Sequence, residues 1–179
     1  MLEPQVILVD ENDKPIGLMG KQQAHVEGIL HRAFSVLLFN HKGQILLQKR
    51  ASSKYHSPGL WTNTCCSHPA PDETLEHAVD RRLKEELNLS APTKHLGSFT
   101  YHVTFEDGMI EHEFDHIFVG QYNQPLPPFN LEEVDLLKWM DWEDLLTDMS
   151  TNSHEYTYWF KIIIEQFAHP LKKYIHENL

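Results

Sequence analysis

Residues 74–89, TLEHAVDRRLKEELNL, read as a helix whose apolar face is not wholly apolar. At about 100° per residue, Leu75, Ala78, Val79, Leu83 and Leu87 share one arc. Arg82 and Glu86 fall inside that arc, whereas Asp80, Arg81, Lys84 and Glu85 lie outside it. Such a helix buries its arc against another layer, and burying charge there is costly unless each group is satisfied. Two readings follow. The two charges pair with each other at i,i+4 at the wet end of the helix, or this face looks into a site where Glu86 binds a cation.

The flanking segments predict what the helix packs on. VILVD, ENDKP and IGLMG read as strand, turn and strand. RAFSVLLFN and QILLQKR around HKG predict a hairpin, and HLGSFTYHVTF and MIEHEFDHIFVGQY around EDG predict a second. After the loop QPLPPFN, EVDLLKWMDW predicts a strand running into a helix at WEDLLTDM. EYTYWFKIIIEQFAHPLKKYI predicts a long C-terminal helix, broken or bent at Pro170. The expected class is α+β, a mixed sheet flanked by helices, as one domain over 1–179. The segment holding His25 and His31 is too irregular to assign.

The net charge of −11 argues against a nucleic-acid surface. It also means that an anionic substrate would need a local basic cluster or divalent cations. No apolar run of about 18 residues exists, so no membrane span is expected. The N-terminus lacks a basic region ahead of its short apolar run, and Cys65 and Cys66 cannot build a disulfide framework, so a cytoplasmic protein is expected. The two cysteines are also poor partners for each other, because bridging neighbours strains the peptide between them.

SHPAPDETLEHAVDRRLKEELNL resembles a Nudix box, matching at Glu73, Arg81, Leu83, Glu85, Glu86 and Leu89. It departs where Ser67 stands for the first glycine, Arg82 for a glutamate and Asn88 for the last glycine. Nudix hydrolases use glutamates of this helix to hold Mg2+ on a diphosphate. The arginine therefore speaks against ordinary hydrolysis of a nucleoside diphosphate derivative, the alternative activity, while Glu86 keeps one cation ligand.

HVEGILHRAFS, PGLWTNTCCSHP and GMIEHEFDH together resemble one branch of that fold, the type I isopentenyl diphosphate isomerases, over nearly the whole chain. The expected fold is then Nudix-type, with an extra N-terminal strand region. On a strand, Glu111 and Glu113 share a face, as do Cys66 and His68. The resemblance implies that His25, His31, His68, Glu111 and Glu113 bind Mn2+ or Zn2+, a donor set unlike a structural zinc–thiolate site. It implies Mg2+ on Glu86 and the backbone carbonyl of Cys66, and a diphosphate held by Lys21, Arg50, Lys54 and Arg82.

The implied reaction is a reversible allylic proton transposition between isopentenyl and dimethylallyl diphosphate. The resemblance assigns proton transfer to Cys66 and Glu113, with Tyr101 bonding the glutamate and Trp159 offering its π face to the carbocation. Trp61 is expected to be structural, and Cys65 a small core residue. The expected partner is a small isoprenoid diphosphate, bound by a monomer or weak dimer.

Overall fold

The computed structural model describes residues 3–54 and 56–178, so the extreme ends of the domain expected over 1–179 lie outside the described residues. Among the described residues, nine strands form one mixed sheet. In chain order they are β1 (Gln5–Val9), β2 (Pro15–Gly20), β3 (His31–Phe39), β4 (Ile45–Arg50), β5 (Trp61–Thr62), β6 (Cys65–Ser67), β7 (Thr93–Thr104), β8 (Ile110–Gln121) and β9 (Val134–Met140). Four α-helices accompany them among the described residues: α1 (Lys21–Glu27), α2 (Leu75–Leu87), α3 (Trp142–Thr151) and α4 (Tyr158–Asn178).

The hub is β3. It runs parallel to β8 from His31↔Glu113 to Phe39↔Gln121 and antiparallel to β6. The hairpin predicted between β3 and β4 is formed only at its turn, where Phe39 faces Ile45. Beyond that point β4 pairs with β9 and β5 instead, leaving β3 free for β8 and β6. The second predicted hairpin, β7–β8, forms along its length with an irregularity between His95 and Gly97.

The unbroken apolar run of β3 follows from burial on both faces. Leu37 and Phe39 join a core with α3 and α4, whereas Phe34, Val36 and Leu38 join another with α2. Val79, Leu83 and Leu87 of α2 are buried against the second core, as the sequence periodicity predicts, each leucine contributing about 2 kcal/mol. Thr74 caps α2 by accepting from the His77 amide, and Asn88 closes it in the left-handed conformation (φ 53°). Asparagine tolerates this conformation, so a glycine is not needed there.

Pro170 does not break the C-terminal helix. α4 continues through it to Asn178, with Leu171 and Tyr174 buried beyond the proline. Packing on the sheet compensates for the one backbone donor that proline lacks. No helix among the described residues is long and apolar enough to cross a membrane.

Candidate active site

The unassigned segment between β2 and β3 is the short helix α1, closed by Gly28 with φ 67°. That left-handed turn brings His25 back beside His31, with ring centroids 4.9 Å apart. The parallel register places His31 opposite Glu113, and β6 carries His68 to the same point. One ligand atom from each of His25, His31, His68 and Glu113 lies within 4.8 Å of all the others. Glu113 Oε1 is 2.9 Å from His68 Nε2, 3.5 Å from His31 Nε2 and 3.8 Å from His25 Nε2.

The backbone orients two of these rings. His25 Nδ1 donates to the Lys21 carbonyl at 2.7 Å, and His31 Nδ1 to the Ile29 carbonyl at 2.8 Å. In those neutral tautomers each Nε2 is an acceptor facing a carboxylate oxygen, which is also an acceptor. Only a proton or a cation between them satisfies both. His31 Nε2 is buried without a hydrogen-bond partner, as is His68 Nδ1. Burial, with Lys21 nearby, pulls His68 down to about 3, which favours the neutral imidazole, the form able to ligate a metal. Burial alone would raise Glu113, but the facing His25, His31 and His68 hold it well below the usual carboxylate range. The cluster is therefore able to hold a divalent metal ion, and its ring-to-carbonyl bonds are the kind that fix metal-ligating histidines.

Glu111 shares the cavity but not the four-residue cluster. It bonds His56 Nε2 at 2.5 Å and accepts from Tyr101 at 3.1 Å. Burial raises its pKa, with His56 opposing. The Tyr101 hydroxyl lies closer to Glu113 Oε2, at 2.7 Å, as the Tyr101↔Glu113 register dictates. Burial, then Glu111 and Glu113, raise the phenol well above its ordinary value, so it remains a donor.

Cys66 lines the same cavity as Glu113, Tyr101 and Trp159. Burial pushes its thiol up to about 12, against the pull of Arg50, whose Nη1 lies 3.9 Å from the sulfur. Cys65 points the other way into the α2 core, fully buried, and both cysteines are free. Trp159 is buried, its indole N–H donating to Asn63 at 3.2 Å. Its ring stacks on His56 and carries the Arg50 guanidinium 5.3 Å from its centroid. Trp61 is half-buried against the α3–α4 core, with Lys138 4.1 Å from its ring centroid.

Lys21, Arg50 and Lys54 line the cavity. Burial lowers the Lys21 pKa, with Glu113 opposing. Arg82 does not line it. It bonds Glu85 at 2.7 Å and Glu86 at 2.6 Å, and lies 3.4 Å from Glu133. Glu86 is 4% exposed and also accepts from Gln48 at 2.9 Å. The i,i+4 pair is thus formed, and Glu86 is satisfied on both oxygens by side-chain donors.

Several residues were missed in the sequence. Asn63 donates to the carbonyls of Val36 and Cys65 and accepts from Thr62 and Trp159, tying the cysteine strand to α4. His56 joins Glu111 to Trp159. Asp115 continues the Glu111–Glu113 alternation on the same face of β8, which the period of two could have flagged. Burial raises its carboxyl well above its ordinary value, and one oxygen accepts from Ser35 at 2.9 Å.

The NUDIX domain family matches residues 29–160. The chain is 46% identical over 164 residues to "Isopentenyl-diphosphate Delta-isomerase 2" of Photorhabdus laumondii, covering 92% of each chain. It is 45% identical over 170 residues to "Isopentenyl-diphosphate Delta-isomerase" of Burkholderia multivorans, covering 95% of this chain and 96% of the other. A solved Deinococcus radiodurans protein superposes with a TM-score of 0.67 at 22% identity, over 82% of this chain and 89% of that one. A MutT NUDIX hydrolase from Burkholderia pseudomallei gives 0.61 at 21%, over 76% and 97%. At those identities the two structures support the fold alone.

Proposed function

This chain belongs to the isopentenyl-diphosphate Delta-isomerase branch of the NUDIX family, and from that premise we infer how its residues act. It is an isomerase that interconverts isopentenyl and dimethylallyl diphosphate, supplying isoprenoid precursors. The observation that carries the assignment of roles is one cavity lined by a thiol, a carboxylate, an indole face and three cations.

The alkene of the substrate is a weak base, so an acid must protonate its terminal carbon. The C–H bond that forms leaves a tertiary carbocation. A base on the other side then removes a proton from the carbon next to the diphosphate arm, and that electron pair becomes the new double bond. Cys66 and Glu113 take these two roles. Burial favours the protonated thiol of Cys66 and the facing histidines favour the ionised carboxyl of Glu113, so the pair would share one transferable proton. One turnover inverts that pair, which is the state the reverse reaction needs.

Tyr101 orients Glu113 through its single O–H. Trp159 would stabilise the cation with its ring face, and the reaction requires that water, which would trap the cation as an alcohol, be kept out. Lys21, Arg50 and Lys54 neutralise the diphosphate, and Arg82 of α2, which does not line the cavity, would join them on leaving Glu85 and Glu86. A single local basic cluster thereby reconciles an acidic chain with an acidic substrate.

The unsatisfied His31 Nε2 and the crowding of nitrogen lone pairs on Glu113 fit a divalent cation. His25, His31, His68 and Glu113 would hold Mn2+ or Zn2+, with Glu111 beside them, and Glu86 with the Cys66 carbonyl would hold Mg2+. Bound there, these ions would withdraw charge from the carboxylate and screen the phosphates. A cytoplasmic location and a monomer or weak dimer complete the reading.

Isopentenyl diphosphate, Mg2+ and the protein are combined in heavy water and followed by NMR. Deuterium in dimethylallyl diphosphate is the expected product. Free phosphate without an allylic product would support nucleotide-type hydrolysis and overturn the isomerase.

A further inference from the structure

On the side of the sheet away from the catalytic cavity, β7 and β8 carry a second constellation of histidines. His116 is three residues from Glu113, so the strand alternation turns it to the opposite face. It is 8% exposed, and its Nε2 lies 2.9 Å from Asp13 Oδ2. Its Nδ1 lies 3.1 Å from Nε2 of the exposed His95. Asp13 is itself fixed, because Arg32 donates to its Oδ1 at 2.7 Å and to its carbonyl at 2.6 Å.

The carboxylate determines the tautomer. Asp13 accepts, so His116 Nε2 carries the proton and His116 Nδ1 presents a lone pair. Burial lowers the His116 pKa and keeps the ring neutral. A carboxylate backing a neutral imidazole is the arrangement that orients metal-ligating histidines. The spacing fits as well. Two bonds of about 2.0 Å at a tetrahedral angle put their nitrogens about 3.3 Å apart, against 3.1 Å between these two.

We propose that His95 Nε2 and His116 Nδ1 form a second transition-metal site, distinct from the catalytic cluster, with Asp13 as its orienting carboxylate. The cation class is an imidazole-seeking dication, Zn2+ or Cu2+, completed by water. On binding, His95 moves its proton from Nε2 to Nδ1, so the neutral pair becomes a chelate with no net change in protonation. Phe114 and Phe118 frame the pair, each with its ring centroid 5.3 Å from one of the two imidazoles. They limit how far either ring can swing away.

The test compares Zn2+ titration calorimetry of chelator-stripped full-length protein, its His95→Ala variant and its His102→Ala variant. His102 belongs to the neighbouring pair with His112, centroids 4.8 Å apart, and serves as the control. Wild type and His102→Ala should show one binding event that His95→Ala lacks, and Asp13→Asn should weaken that event about 10-fold or more. Cu2+ electron paramagnetic resonance should show two-nitrogen coupling that disappears with the same variant. Isomerase turnover, retained in His95→Ala, verifies the fold. Identical isotherms for wild type and His95→Ala overturn the proposal, as does loss of the event in His102→Ala instead. Failure of the catalytic-cluster assignment would leave this difference between variants intact.

Discussion

Replacing Tyr101 with phenylalanine removes one oxygen from the centre of the proposed proton-transfer site. The hydroxyl has one hydrogen and two carboxylate acceptors within reach, Glu113 at 2.7 Å and Glu111 at 3.1 Å. The shorter contact assigns the proton to Glu113. A hydrogen bond to a buried charged group contributes about 1.5–3 kcal/mol. If it holds Glu113 in the reactive geometry, its loss raises the barrier by a similar amount. At about 1.4 kcal/mol per decade, kcat should fall about 10- to 150-fold. Phenylalanine leaves Lys21, Arg50 and Lys54 in place, so KM should change by less than about threefold. The assay is steady-state conversion of isopentenyl diphosphate, with circular dichroism at the assay temperature to confirm folding. A fully folded variant with kcat reduced less than about threefold would refute the positioning role. An equal loss appearing only in KM would do the same.

The two cysteines should separate cleanly: Cys66→Ala abolishes turnover, while Cys65→Ala costs about 1 kcal/mol of stability and leaves kcat near wild type; equal activity loss from both would contradict the assignment. With the Cys66 thiol near 12, iodoacetamide modification of that residue should rise about tenfold per pH unit from 7 to 10. A plateau near pH 9 in peptide-mapped Cys66 adduct would mean the burial argument is wrong. Glu86→Gln should raise KM about tenfold or more, as expected for loss of a diphosphate-site cation ligand, with cluster metal content unchanged by elemental analysis. Equal loss of cluster metal would mean that the Glu86 site and the histidine cluster are not independent.

Much of the site was legible wherever a local period carries it. Alternation along an extended segment separates Cys65 from Cys66 and aligns Glu111 with Glu113, and the helical period exposes Arg82 and Glu86 as misplaced charge. Those are statements about one element at a time. Asn63 has no such pattern, because its partners Val36 and Trp159 come from distant parts of the chain. His56 likewise acquires its role only when folding brings Glu111 and Trp159 to it. The β3–β4 pairing stops at its turn for a related reason. An apolar strand advertises that it is buried, not which neighbour takes its backbone, and β8 and β6 compete successfully for β3.

The pair on α2 shows how a structural and a functional reading of one residue can both hold. Arg82 occupies Glu86 Oε1 at 2.6 Å and Gln48 occupies Oε2 at 2.9 Å. A cation on Glu86 would therefore compete with the Arg82 guanidinium for one carboxylate. Burial alone would pull the Arg82 pKa down, but Glu86 and Glu133 hold it above its ordinary value, and a guanidinium is basic enough by itself to stay charged when it lets go. Charge freed from Glu86 would then become available to a diphosphate. The arginine that departs from the hydrolase pattern would thus serve as a resting counterion to Glu86 and as a phosphate ligand once a metal replaces it. The Glu86→Gln variant, which leaves Arg82 without its closest carboxylate, is where the two roles come apart. Loss of the metal ligand should dominate and raise KM, whereas a lowered KM would show that Arg82 had been held back by Glu86 alone.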